Sequence, residues 1–330
     1  MSGYLLRRAL SSVPTLFLVM GVTFLLLQSL PGDPAELRAA GLEARSADRA
    51  AVEHLRQQFG LDRALPVQAL DWARRCLRFD FGVSFSDGSP VGAKVARALW
   101  ATAVLNGSAL LLLLTFSIGG GMALAAWKQT WLGRPAMRLL AGVAAVPSAW
   151  GALLLQRLLA VDLGWLPLEG GGPAGGGAGS GWLNPSLHFL ALPALAVAYR
   201  GTALYTLLAR QAIAQALESD HVLAAQARGL PRRLLYLRHA LRTAARSLIA
   251  TSAPMARALV AGNVVVETVF GWPGAGRLLV DALLQRDYPV LLALTWVSIL
   301  FTLVWMVATD LVLGMADPRV RLHTAAEGQG

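Results

Sequence analysis

The feature that most limits what this chain can fold into is a succession of long apolar runs, each closed off by arginines or by a Pro-Gly turn. The runs fall at about 9–30, Leu99–Trp127, Leu139–Ala160, Leu187–Leu208, 248–269 and 290–313. A hydrocarbon layer about 30 Å thick is crossed by about 20 helical residues. Backbone amides that cannot reach water there must bond within their own segment, so spans of this length are helices. Composition agrees: 55% of residues are hydrophobic and only 15% charged, where a soluble domain carries about 25% charge. The chain is therefore read as all-α and polytopic, with six transmembrane helices. The first run follows Arg7 and Arg8 and imitates a secretion signal. It is long, lacks a small-x-small cleavage site before Pro31 and is followed by further spans, so it reads as a retained helix.

Basic residues in the short connections set orientation. With the N-terminus inside, the inner segments hold fourteen lysines and arginines, from Arg7 and Arg8 through Arg210, Arg228, Arg238 and Arg242 to Arg321, and the short outer loops hold two, Arg277 and Arg286. Both termini of the multi-pass chain are thus expected on the cytoplasmic side. The sequence pI near 10.9 comes mostly from arginines beside apolar runs, where they set topology or meet lipid head groups rather than nucleic acid. A single cysteine, Cys76, allows no intrachain disulfide and no thiolate metal cluster.

Three regions follow: 1–30, an N-terminal segment and first helix; 31–98, a small helical external subdomain, periplasmic if the membrane is a bacterial inner one; and 99–330, a five-helix core with a cytoplasmic loop at 210–246. In the subdomain, Val52, Leu55 and Phe59 share one helical face, and Val67, Leu70, Ala73 and Leu77 another. The glycine-rich stretch 171–181 lacks a Gly-Lys-Ser/Thr ending and a preceding strand, so it reads as a linker rather than a phosphate loop.

The most unusual stretch is AAQARGLPRRLLYLRHALR, at 224–242. Helix formers dominate up to Arg228, Gly229 suits a left-handed or close-packed position, and Pro231 suits a helix start. The expected result is helix, sharp turn, short basic helix. Its leucines alternate with arginines, which fits either the membrane surface or a groove on a cytoplasmic partner.

Several blocks carry a resemblance: Ala224, Ala225 and Gly229 as Ala-Ala-x-x-x-Gly, RHALR after it, GNVVVETVFGWPGAGRLLVDALLQRDYPVL at 262–291, ADPRVR at 316–321, LPGDPA at 30–35 and FDFGVSFSDGSPV at 79–91. In this order around six spans, the chain resembles the inner-membrane permease subunit of a bacterial ABC importer of the dipeptide/oligopeptide/nickel class, a binding-protein-dependent transport system. The resemblance implies the type I importer permease fold. It also implies a coupling helix resting on an ATPase subunit, with Asp220, Ala224, Ala225, Arg228, Gly229, Arg232 and Arg233 as its residues. Departures from the pattern fall at His221, Leu223, Gln226 and Ser247.

Implied partners are a second, related permease giving a heterodimer, two ATP-binding cassette subunits, a periplasmic or lipoprotein solute-binding protein, and membrane lipid, with no nucleic acid. ATP and magnesium belong to the ATPase subunits; this chain has no Walker A motif, no cofactor and no metal site of its own, and is not an enzyme. The implied function is import of di- and oligopeptides.

Ionisable groups at membrane depth are costly and mark cavities or partners. Arg200 and Arg257 are the candidates for the translocation path, where a cation could meet a substrate carboxylate or carbonyl; pairing across helices is the competing role. Glu267, Phe270 and Trp272 flank a Gly-Pro-rich turn. The two aromatic rings suit head-group level, and the resemblance places this region at the external gate. Two other functions are weighed. One is an ion-gradient transporter using Arg200, Arg257 and Asp310, which usually needs more spans or an inverted repeat. The other is a scaffold whose basic loop recruits a soluble protein.

Overall fold

The computed structural model describes residues 14, 17–26, 29, 35, 52–54, 56–57, 62–127, 131–170, 187–245, 247–249 and 263–316, with side chains up to 304. Regular structure among them is helical, apart from one isolated antiparallel bridge between Val83 and Pro90. In chain order the helices are α1 (Phe17–Leu26), α2 (Leu65–Leu77), α3 (Val91–Ala126), α4 (Gly133–Ala145), α5 (Ser148–Gln156), α6 (Leu187–Leu217), α7 (Asp220–Ala227), α8 (from Arg232), α9 (Val264–Val269), α10 (Ala275–Leu284) and α11 (Tyr288–Ala316).

Among the described residues, α3 and α6 are individually long and apolar enough to cross a membrane, and α4 with α5 makes a third if that pair is one span. The run expected as a single helix at 139–160 is therefore corrected: α4 and α5 meet at a bend of 106°. Pro147 is the cause. A residue before proline is pushed out of the helical region, and Val146 is extended, with ψ 126°. Past the bend, Arg157–Asp162 continues as a π-helical turn. The second run also differs from expectation, since α3 starts at Val91. Val91, Val95 and Ala98 are buried and recur at helical spacing, which carries the helix back into the segment read as subdomain.

The chain divides into two compact units. The first comprises 1–102 and 273–304. Its core gathers Phe24 of α1, Val91 and Val95 of α3, Ala282 of α10 and the start of α11, Tyr288 through Leu294. The inward face of α2 is buried Cys76 with half-buried Ala69, Trp72 and Ala73, packed on clusters that include Met20 and Trp296. Val67, Leu70 and Leu77 point outward instead, which corrects the expected face. The α2 sequence supports two apolar stripes of similar strength, and the one holding the tryptophan wins because it buries more area. Burial pushes the Cys76 thiol up to about 12. Of the 47–59 segment, residues 52–54 and 56–57 are helical.

Asp287, only 1% exposed, fastens this unit. Its carboxylate accepts hydrogen bonds from the Ser84 hydroxyl, from Phe85 N at 3.0 Å and from the Ser86 hydroxyl at 3.0 Å. An Asp just before an apolar helix normally caps that helix. Here the side chain instead holds the 84–86 loop. Alongside, Lys94 donates to Asp87 at 2.8 Å. Burial works to raise the Asp87 carboxyl, but Lys94, Ser89 and Ser84 outweigh it and hold the group well below the usual carboxylate range.

The second unit comprises 103–272 and 305–330. In it α3 crosses α6 closely. A Cβ placed on Gly121 would lie 2.6 Å from the Ala209 Cβ and 2.9 Å from the Arg210 backbone nitrogen. One turn of helix away, the Ser117 hydroxyl donates to the Thr202 carbonyl at 3.1 Å. Small residues permit such approach. Gly119 and Gly142, which belong to the same small-residue runs, have nothing within 4 Å of that position.

Candidate functional site

The α6–α8 segment is built from the inside outward. Helix α6 ends at Leu217, and Ser219 breaks it with an extended backbone, ψ 144°. Helix α7 then closes in a Schellman motif: Leu230 N donates to the Ala225 carbonyl at 3.4 Å and Gly229 N to the Gln226 carbonyl at 2.9 Å. Gly229 takes the left-handed position, φ +81°, as glycine does at this place. Pro231 caps α8 without entering it. Val222, Ala225 and Leu235 are buried together, with Leu217 and Leu230 packed against them. The turn thus folds α7 and α8 onto one small core.

Helix α8 is not regular. After Arg232–Leu234 it passes through a π-helical turn, Leu235–Ala240, and returns to α-helix through 245. Its buried residues are Leu235, Ala240 and Ala244, and Leu248 in the helical residues 247–249 is buried as well. The step of five from Leu235 to Ala240 would rotate a plain α-helix off its seam. The wider π turn keeps both buried, Leu235 in the core shared with α7 and Ala240 against α6, where Ala240, Ala244 and Leu248 join Tyr205, Ala209, Ala212 and Ile213. The Tyr205 hydroxyl donates to the Leu248 carbonyl. The expected single leucine face is accordingly split. Leu235 and Ala240 point inward, whereas Leu234 and Leu237 are exposed.

The outer surface of the segment carries exposed Asp220, Ala224, Arg228, Gly229, Arg232 and Arg233, together with Leu223, Leu237, Arg238 and Arg242. Ala225 alone among the expected coupling residues is fully buried. One further residue pair was not anticipated. The Thr243 hydroxyl donates to the His239 carbonyl at 3.1 Å, so it accepts from His221 Nε2–H, 2.8 Å away. This bond ties α7 directly to α8. A histidine on the first turn of a helix gave no sign of it, because its partner lies 22 residues on.

The second candidate region is the turn after α9. It repeats the same closing pattern: Trp272 N donates to the Glu267 carbonyl at 2.8 Å and Gly271 N to the Thr268 carbonyl at 3.3 Å, with Gly271 at φ +61°. Glu267 and Phe270 are fully buried and Trp272 nearly so. Phe270 packs with Ala152, Leu192, Ala196 and Val266. Gly170 N donates to the Phe270 carbonyl at 2.7 Å, and a Cβ on Gly170 would strike Pro193 at 2.6 Å and Trp272 at 3.2 Å. The expectation that both rings anchor at head-group level is corrected. They are core residues of this unit.

Arg200 lies in α6 and is exposed, with Nε donating to the Ala144 carbonyl at 3.1 Å. Arg257, the other expected path residue, lies outside the described residues, as do the 171–181 loop and the side chain of Asp310. Among the described residues no three His, Cys, Asp or Glu side chains gather as a metal site.

Long apolar helices and a broken apolar pair mark an all-helical, multi-pass membrane protein. Two family descriptions match in tandem: "binding-protein-dependent transport system membrane component, N-terminal" over residues 1–106, and "binding-protein-dependent transport system inner membrane component" over 117–322. The chain belongs to this family of inner-membrane components, and it is a non-catalytic permease subunit of an ABC-type importer. Among its relatives is the glutathione transport system permease protein GsiC of Pectobacterium atrosepticum, 33% identical over 321 residues, covering 97% of this chain and 99% of the relative. GsiC of Salmonella typhimurium and of Escherichia coli strain K12 are likewise 33% identical over 97% of this chain and 99% of theirs.

Proposed function

We propose that this permease imports small peptides, glutathione among them, as half of a translocation path whose other half is a second, related permease. The reading gives it six spans with both termini cytoplasmic, two ATPase subunits below and a solute-binding protein above, seated on the outer loops within 31–98 and 271–289. The α7–α8 segment is the coupling element. The observation that carries this is the segment's two-sidedness: a dry inner face in which Ala225 and Leu235 join α7 to α8 and Ala240 seats α8 on α6, and an outer face of arginines and exposed leucines around the Gly229 turn.

An element rigid on one side and cationic on the other transmits force when a partner with an acidic groove grips it. In this assignment Ala225 seats α7 on the permease's own core. Ala224 lets the partner approach, and Arg228, Arg232 and Arg233 meet its acidic groups. Asp220 favours the α7 N-terminus by its charge. Glu267, Phe270 and Trp272 form the rigid footing of the external gate rather than its lipid contact. Arg200 and Arg257 line the path.

The test is reconstitution of the permease pair, ATPases and binding protein in proteoliposomes, with uptake of radiolabelled glutathione and trialanine as the readout. Uptake should require ATP and the binding protein and persist when ion gradients are collapsed. Uptake driven by a proton or sodium gradient without ATP would refute the reading.

A further inference from the structure

We propose that Arg200, held at the break of the α4–α5 pair, is a carboxylate-binding point in the translocation path, and that the carboxylate it takes is a free one on the transported peptide. This rests on the import reading above and names the chemistry that the path selects. Arg200 sits near the middle of the 31 residues of α6, with Ala194–Ala198 before it and Gly201–Leu204 after it. A guanidinium stays charged at any accessible pH, and at hydrocarbon depth it needs acceptors.

The break supplies one and fixes the geometry. The last carbonyls of a helix lack intrahelical partners, and at the bend those of Ala144 and Val146 are met from α6, while the Pro147 carbonyl already accepts from Gly151 N at 2.9 Å as the first bond of α5. Arg200 Nε donates to the Ala144 oxygen at 3.1 Å, and the Tyr199 hydroxyl lies 3.0 Å from both the Val146 and the Pro147 oxygens. Tyr199 can sit there because position 151 is glycine; a Cβ on Gly151 would overlap the phenol ring.

With Nε committed to the break, the guanidinium plane is oriented and its far edge, Nη1 and Nη2, has no hydrogen-bond partner among the described residues. Two parallel N–H bonds from that edge match the two oxygens of a carboxylate. Tyr199 is then a positioning residue: it holds the bend that aims Arg200. A carboxylate could also come from an Asp or Glu of the second permease, and the two sources are separated by what the variants do.

The experiment compares trialanine with trialanine amide, and trileucine with trileucine amide, in proteoliposomes of the complete transporter with the binding protein saturated. Wild type is expected to import the free acids about tenfold faster than the amides, the discrimination that a charge-assisted pair supplies. R200Q should bring the ratio to within about twofold by slowing the acids alone, R200K should keep part of the preference, and Y199F should weaken it while the complex still assembles. An equal loss for acids and amides in R200Q, or failure of R200Q to assemble with its partner while R200K assembles, gives Arg200 a structural rather than a substrate-reading role and overturns the proposal. Unchanged ratios, or a wild type that does not discriminate, overturn it and leave the import reading intact. A wild-type complex that imports nothing overturns both.

Discussion

Replacing Gly121 by leucine is expected to abolish the folded permease, while the same change two residues earlier, G119L, leaves it folding. The difference is entirely one of what stands opposite. At Gly121 even a methyl group would arrive 2.6 Å from the Ala209 Cβ and 2.9 Å from the Arg210 backbone nitrogen. Backbone on the facing helix cannot swing aside as a side-chain tip does, so α3 and α6 must separate. Overpacking of this kind costs about 1–3 kcal/mol and occasionally more, which sets the expectation for G121A. G121L adds three further carbons against the same wall. The separation would also strain the Ser117–Thr202 hydrogen bond and the shared core of Tyr205, Ala209 and Ile213. Gly119 has nothing within 4 Å of its Cβ position. Thermal unfolding in detergent, read by size-exclusion chromatography, should rank G119L near wild type, G121A lower and G121L aggregated. Equal behaviour of G119L and G121L would refute the close crossing.

The second large effect is on coupling rather than folding. Gly229 has φ +81° and open space around its Cβ position, so substitutions there meet no clash and act through backbone conformation alone. A left-handed residue with a Cβ costs roughly 1–2 kcal/mol, more for a β-branched side chain and less for asparagine. The variants should therefore rank G229N, G229A, G229V in increasing severity. In G229V the two Schellman hydrogen bonds from Gly229 N and Leu230 N open, and α8 no longer lies on Val222 and Ala225. The expected phenotype is retained ATPase activity with uptake reduced at least tenfold for G229V and only about twofold for G229N, measured in the reconstituted transporter. Uptake that tracks side-chain volume rather than this order would point to a partner contact at residue 229 instead of a turn.

How far the sequence discloses this architecture depends on whether the controlling interaction is local. The turns at Gly229 and Gly271 are visible because glycine advertises a left-handed residue. Two further helices end the same way at Phe79, φ +55°, and Arg286, φ +53°, and no residue type announces those. The bend at Pro147 is local too, but a proline inside an apolar run is compatible with either a kinked span or a broken one. Only the positions of Tyr199 and Arg200 across the break distinguish them.

The α7–α8 segment was legible as helix, turn and basic helix. Which leucines face inward was not, because the π turn at Leu235–Ala240 shifts the register by one residue. The Asp287–Ser84 latch and the His221–Thr243 bond join residues distant in sequence, and periodicity carries no information about such pairs. Phe270 and Trp272 show the opposite error. Aromatic residues beside a Gly-Pro turn suit an interface by composition, yet Phe270 packs among Ala152, Leu192, Ala196 and Val266, and Trp272 lies against Gly170 in the same unit.

The central claim is that the α7–α8 segment is the permease's grip on its ATPase, and cysteine crosslinking tests it most directly. The native Cys76 is buried, so L223C and L237C, both at exposed positions, report on the outer face of the segment. In the assembled transporter each is predicted to capture an ATPase subunit, with a yield that changes between nucleotide-free and ATP-bound states. ATP-driven uptake by a complex in which neither cysteine ever captures an ATPase would contradict the account.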